Sequence, residues 1–173
     1  MEKEYNFVKR TQENLDIISR LLNNGQIPPN EFYDFTNLIN NCLGLISYVY
    51  EYSVRKHITL KRKERIQKVL NNTSFDISKY GKIWICLSME RHGGSELDLP
   101  TILYHMRNAI CHGHVEPYTH NTSNTIIGAK FWDENNNGRN FEAELTIKEI
   151  TSFAMDIADS YNQYLKLIKT VNK

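Results

Sequence analysis

The stretch from Phe32 to Tyr50 constrains the fold more than any other. Phe32, Phe35, Leu38, Ile39, Cys42, Leu43, Ile46, Val49 and Tyr50 recur at helical spacing. They give a long helix that is apolar over a wide face. Such a helix must be covered from several sides, so it is expected at the centre of a helical bundle. Pro28-Pro29-Asn30 supplies a turn and an N-cap before it. Gly44 in its interior costs about 1 kcal/mol against alanine, and close approach of a neighbouring helix is the expected compensation.

The rest of the chain supplies partners for that helix. Residues 3–24 read as a first helix, with Val8, Thr11, Leu15, Ile18 and Leu22 at helical spacing and Asn23-Asn24-Gly25 as its stop. A short basic helix follows the central one and ends at Asn71-Asn72. Ile83-Trp84-Ile85-Cys86-Leu87 is an apolar run that periodicity cannot assign to helix or strand. We read it as a buried helical turn, followed by a loop at His92-Gly93-Gly94-Ser95. Asp98 or Leu99 opens the next helix, with Pro100 tolerated in its first turn.

Beyond it, Glu116-Pro117 and the polar stretch Thr119–Asn124 read as loop. Ile127, Ala129 and Phe131 then alternate with Gly128, Lys130 and Trp132, and Phe141, Ala143 and Leu145 alternate on a return strand. Asn137-Gly138 between them signals a β-hairpin. Thr146-Ile147-Lys148-Glu149 has the pattern of a capping box. It opens a last helix carrying Ile147, Ile150, Phe153, Ala154, Ile157, Tyr161, Leu165 and Ile168. The expected fold is mainly α, an up-and-down bundle of four to five helices with a β-hairpin inserted before the C-terminal helix. Residues 1–173 form one domain in this reading, with no repeat and no linker.

Composition narrows the function classes. Net charge is +1, so no global field draws in nucleic acid, and any RNA contact must come from a local patch. The three cysteines, Cys42, Cys86 and Cys111, lack metal-type spacing, and their odd number argues for reduced thiols and a cytoplasmic protein. No apolar run reaches a membrane-spanning length of about 18 residues, and Met-Glu-Lys-Glu-Tyr lacks a signal-peptide core.

The chemistry is concentrated in Met106-Arg107-Asn108-Ala109-Ile110-Cys111-His112-Gly113-His114. At about 100° per residue, Leu99, Ile102, Leu103, Met106 and Ile110 form one apolar stripe. Tyr104, Asn108 and His112 fall on the opposite side, away from the expected core, and Arg107 on the flank. Gly113 is the expected helix stop. Arg107 is a permanent cation with a planar fork that suits phosphate. His112 can exchange a proton near neutral pH. Asn108, one turn back, can hold the imidazole or a phosphate oxygen. Together these groups suit work on a phosphodiester.

Arg-Asn-x-x-x-His at the end of a late helix resembles the signature of the HEPN superfamily. The stretch from His105 to Gly113 is most similar to the plasmid-encoded pEK499-p136-like branch, whose helix ends LRNAxxHG. The upstream stretch Phe32–Ile46, with its Cys42-Leu43-Gly44-Leu45-Ile46, is similar too, as is the hairpin followed by a closing helix. The resemblance covers roughly residues 30–165. It implies a metal-independent endoribonuclease without cofactor, in which the 2′-hydroxyl attacks the adjacent phosphate to leave a 2′,3′-cyclic phosphate. Arg107, Asn108 and His112 are its expected catalytic groups. It also implies a homodimer with two motifs in one cleft, and a role as a toxin or defence factor, with an antitoxin as a possible partner. Tyr104 and His105 are the interface candidates.

Arg55, Lys56, Lys61, Arg62, Lys63, Arg65 and Lys68 form the most basic segment, either an RNA track or a solvated face; His114 is a further RNA-binding candidate. Two other functions stay open. A dimeric adaptor that binds RNA or a protein without cutting would use the same motif at an interface. A metal hydrolase would need His112, His114 and Cys111 to converge. Trp84 and Trp132 are read as packing residues, and Asp133, Glu134, Glu142 and Glu144 as exposed hairpin carboxylates.

Overall fold

Stretches of helical periodicity become helices where expected, and the alternating stretches become strands that recruit more of the chain than the hairpin alone. The computed structural model describes residues 2–26, 34–70, 76, 79–80, 82–87, 90–93, 98–119 and 126–171. Helices α1 (Glu2–Asn23), α2 (Asp34–Arg55) and α3 (Arg62–Leu70) come first. Strands β1 (Lys82–Leu87) and β2 (Glu90–Gly93) precede helix α4 (Leu99–Cys111). Strands β3 (Val115–Thr119), β4 (Ile126–Asn135) and β5 (Gly138–Thr146) lead into helix α5 (Ile147–Val171). The fold is mainly α with an antiparallel sheet inserted before the last helix. The expected features at Pro28–Asn30, Asn71-Asn72, Gly94-Ser95 and 120–124, and the side chains of Trp84 and Cys86, lie outside the described residues.

The central-helix expectation holds. α2 packs against α1, α3, α4 and α5, and its Ile39, Cys42, Leu45, Ile46, Val49 and Tyr50 are buried. α5 lies along it with Phe153, Ala154, Ile157, Tyr161 and Leu165 buried. α1 is tied to α5 by a polar clasp as well as by Val8 and Leu15. Gln12 Nε2 donates to Asp159 Oδ1 at 2.9 Å, and Asn162 Nδ2 donates to Gln12 Oε1 at 2.7 Å. The capping box before α5 forms as its sequence predicts: Glu149 N–H donates to Thr146 Oγ1 at 3.2 Å, and Thr146 N–H to a Glu149 carboxylate oxygen at 2.8 Å.

The sheet corrects four expectations, one of them the loop read at His92-Gly93, which belongs to strand β2 because it pairs with β1. Its order is β2-β1-β5-β4-β3, so the β4–β5 hairpin is its centre rather than a free-standing ribbon. The run from Ile83 to Leu87 is strand, not a helical turn. Lys82–Ile85 pair with Glu144–Phe141 of β5, and Trp84–Leu87 with Gly93–Glu90 of β2. The residues read as a loop at Glu116-Pro117 belong to edge strand β3. Pro117, which lacks an N–H, is accommodated there because β3 has a neighbour on one side only.

The sheet's inner face carries Ile83, Ala129, Phe131, Asp133, Phe141, Ala143 and Leu145. α4 and α5 pack on the sheet. At Gly128 a Cβ would collide with the Leu145 carbonyl and the Tyr118 ring, which explains the glycine. Gly44 is different: among the described residues a Cβ there would meet nothing within 4 Å beyond its own helix. The expected close helix approach is absent, and Gly44 faces an open cleft instead. Among the described residues, no helix is long and apolar enough to cross a membrane.

Candidate active site

The motif helix α4 is fixed at both ends by its own sequence. Asp98 caps the N-terminus, its Oδ1 accepting from Thr101 N–H at 2.8 Å. Partial burial opposes the Asp98 charge, but the hydrogen bonds from Thr101 and the ammonium of Lys63 prevail and hold its carboxyl below the usual range. At the other end His112 is the C-cap and Gly113 takes φ 70°. His114 N–H donates to the Ala109 carbonyl at 2.8 Å, and Gly113 N–H to that of Ile110 at 3.2 Å. This pair of bonds is a Schellman closure. It turns the chain directly into β3, and Trp132 N–H on β4 then donates to the His114 carbonyl at 3.2 Å. The helix end and β4 are thereby held side by side.

That proximity builds a polar network. Asp133 on β4 is buried, 5% exposed. Its Oδ2 accepts from His105 Nδ1 at 2.8 Å and from Asn108 Nδ2 at 3.0 Å, while its Oδ1 accepts from Glu134 N–H at 3.0 Å. With Asp133 as the acceptor, the pairing is made by an Nδ1–H of His105 and by the amide nitrogen of Asn108. The Asn108 oxygen is then turned toward Arg107, and Nη1 donates to it at 3.2 Å. The other side of Arg107 is held from α2: Nε and Nη2 donate to Glu51 Oε1 at 2.9 and 2.7 Å. Burial opposes the guanidinium's charge, but Glu51 raises its pKa above the ordinary arginine value. Of the five guanidinium N–H donors, these three bonds engage three, leaving two without a partner among the described residues.

Helix α4 is therefore less open than its wheel suggests. Tyr104 is half-buried against α2 and α3, with Arg62 4.3 Å above its ring and Tyr50 6.4 Å away. His105, read as an interface candidate, is 12% exposed and stacks on Phe141 at 5.1 Å. Ala109, not Ile110, completes the buried stripe. The Asn108 side chain bonds Arg107 and Asp133 rather than the His112 ring, and His112 meets Asn108 only through its backbone N–H, which donates to the Asn108 carbonyl at 2.9 Å. What the last turn exposes is Cys111, His112 and Gly113. The His112 ring lies 5.9 Å from that of His114, which stacks on Trp132 at 5.2 Å and has Nε2 3.6 Å from Glu134.

The basic segment is divided among several tasks. Arg65 donates to the carbonyls of Val54, Ile58 and Leu60, which makes it a staple of the turn between α2 and α3 rather than a free phosphate contact. Lys63 pairs with Asp98 at 3.2 Å. Arg62 covers Tyr104 beside the motif. Arg55 lies 3.8 Å from Glu51, and Lys56 sits over the Tyr52 ring. Lys61 and Lys68 are exposed. His112, His114 and Cys111 do not form a metal-binding group; among the described residues no three His, Cys, Asp or Glu side chains do.

Two members of the network escape sequence reasoning, Glu51 and Asp133. The hairpin pattern makes Asp133 an exposed acid, and the structure overturns that. Its signal was the strand alternation itself, since Ala129, Phe131 and Asp133 share one face. Glu51 had a weaker signal, as the one acid within α2 after Asp34. A family model described as HEPN pEK499 p136 matches residues 1–166 of this chain. No curated protein and no solved structure matches it.

Proposed function

The chain belongs to the HEPN pEK499 p136 family, and from that premise we propose that it is a metal-independent endoribonuclease. The observation that carries this reading is an arginine held in place on the same helix whose last turn exposes a histidine. Glu51, Asn108 and Asp133 hold Arg107 in place with two N–H donors to spare, at the same helix end where His112 is exposed. A phosphate between them meets a pre-oriented cation and a titratable ring.

The reaction is a transesterification. The ribose 2′-hydroxyl gives its proton to a neutral His112 imidazole and attacks phosphorus. The bond to the 5′-oxygen breaks, and that oxygen takes a proton from an imidazolium. The products are a 2′,3′-cyclic phosphate and a 5′-hydroxyl. Arg107 offers its free N–H groups to the charge that builds on the phosphorane oxygens, a contribution of a few kcal/mol in comparable sites. Asn108 is a positioning residue for Arg107. A two-fold dimer, in which two α4 ends share one cleft, supplies one His112 as base and the other as acid. In this reading the protein is a cytoplasmic toxin or defence factor acting on RNA, restrained by an antitoxin.

The test is RNA cleavage in the presence of EDTA. The wild-type protein is expected to cut and leave cyclic-phosphate ends. His112→Ala should lose about 10²–10⁴-fold in rate while keeping its affinity for RNA, and Arg107→Ala should lose both rate and affinity. Wild-type protein that cuts no RNA class would turn the reading to a dimeric module that binds RNA or a protein without cutting. One observation favours that second reading: Glu51 already engages two nitrogens of the Arg107 fork.

A further inference from the structure

We infer that the cleft between α1 and the second half of α2 is a subsite for one unpaired RNA base, beside the phosphate that Arg107 would hold, an inference resting on the ribonuclease reading. The cleft measures about 640 Å³, within the size range of small-ligand pockets. Phe7 of α1 forms one wall and remains 44% exposed, its ring 4.6 Å from that of Tyr48. Exposed aromatic surface beside cations is what single-stranded nucleic acid uses, because every base has a face to stack.

Arg55 and Lys56 supply the cations at the mouth, and the Arg55 side chain is 80% exposed. Gly44 leaves the cleft floor bare, since among the described residues outside its own turn of helix nothing lies within 4 Å of where its Cβ would be.

Continuity with the motif comes through Glu51. It lines the cleft, its Oε1 accepts from Arg107, and its Oε2 lies 3.8 Å from Arg55. A strand whose phosphate meets Arg107 therefore passes the cleft wall at Glu51. The mixture of rings and cations fits a nucleotide better than an apolar peptide.

The experiment uses Gly44→Leu, which fills the cleft from a helical position that tolerates a side chain, together with Phe7→Ala, which removes a wall. Both are made in the His112→Ala protein, so that RNA stays intact, and binding of a labelled mixed-sequence single-stranded RNA is measured by anisotropy. Each variant is expected to bind about tenfold more weakly, with the oligomeric state unchanged and the Tm of Gly44→Leu no lower than its parent's. Two variants that bind like the parent, while the wild-type protein still cleaves RNA, would overturn the subsite and leave the ribonuclease reading standing. A wild-type protein that neither binds nor cuts RNA would remove both. Loss of a dimer in Gly44→Leu would make the cleft a contact between copies and overturn the subsite as well.

Discussion

Asp133 shows how much one buried carboxylate organises. It accepts from His105, from Asn108 and from the Glu134 backbone, and through Asn108 it sets the orientation of Arg107. Removing it leaves donors on His105 and Asn108 without partners in a site nearly closed to water. Each such loss is worth about 1–3 kcal/mol. Asp133→Ala is accordingly expected to lower stability by about that amount and to reduce cleavage. A thermal melt beside a cleavage assay checks both. Unchanged Tm and unchanged rate would mean that the network is an accessory to the fold rather than its support. The sequence already placed Asp133 on the strand face shared by Ala129 and Phe131. Reading it as surface was natural because isolated aspartates are seldom buried, and the donors that make its burial tolerable come from another element, twenty-five residues or more away in the chain.

Elements were legible in proportion to their length and the regularity of their pattern. The long amphipathic helices and the hairpin around Asn137-Gly138 follow from periodicity and turn chemistry. β1 does not, because five apolar residues fit either a strand or a buried turn, and only its pairing to β5 decides. The corner between α2 and α3 is likewise set by tertiary contacts. Arg65 gathers three carbonyls there, and His57 adopts φ 50° with its Nε2 2.8 Å from the Tyr164 hydroxyl. Desolvation, with Lys68 and Lys56 nearby, lowers the His57 pKa from its usual 6.5. The unfolded chain then binds a proton more readily than the folded one. The stabilisation is complete above about pH 6.5 and is lost as pH falls through the lowered folded value. Melts between pH 7.5 and 5 should show a smaller decline in Tm for His57→Gln than for the wild type. Parallel curves would place the pH dependence elsewhere.

At the scale of the whole molecule, α4 is held between α2 and α3 on one side and the sheet on the other. Only its last turn protrudes. A dimer that joins two such turns presents both His112 rings to one cleft. Sedimentation should therefore give a dimer, and Cys111→Arg, in the exposed last turn, should shift it toward monomer and lose cleavage in the same step. A dimer that survives this change with full activity would place the contact on another surface.

The sequence by itself determined the helices, the hairpin, the caps of the motif helix and the choice of Arg107, Asn108 and His112 as the set proposed to react. Those are local matters: spacing, turn residues and the chemistry of single side chains. Tertiary structure decided what the sequence left open. It drew β1, β2 and β3 into one sheet, turned Asn108 toward Arg107 rather than His112, and brought Glu51 and Asp133 to the site from α2 and β4. The same packing left Gly44 facing an open cleft instead of a neighbouring helix. Each outcome depends on which distant segments meet, and hydrophobic period and local propensity carry no record of that.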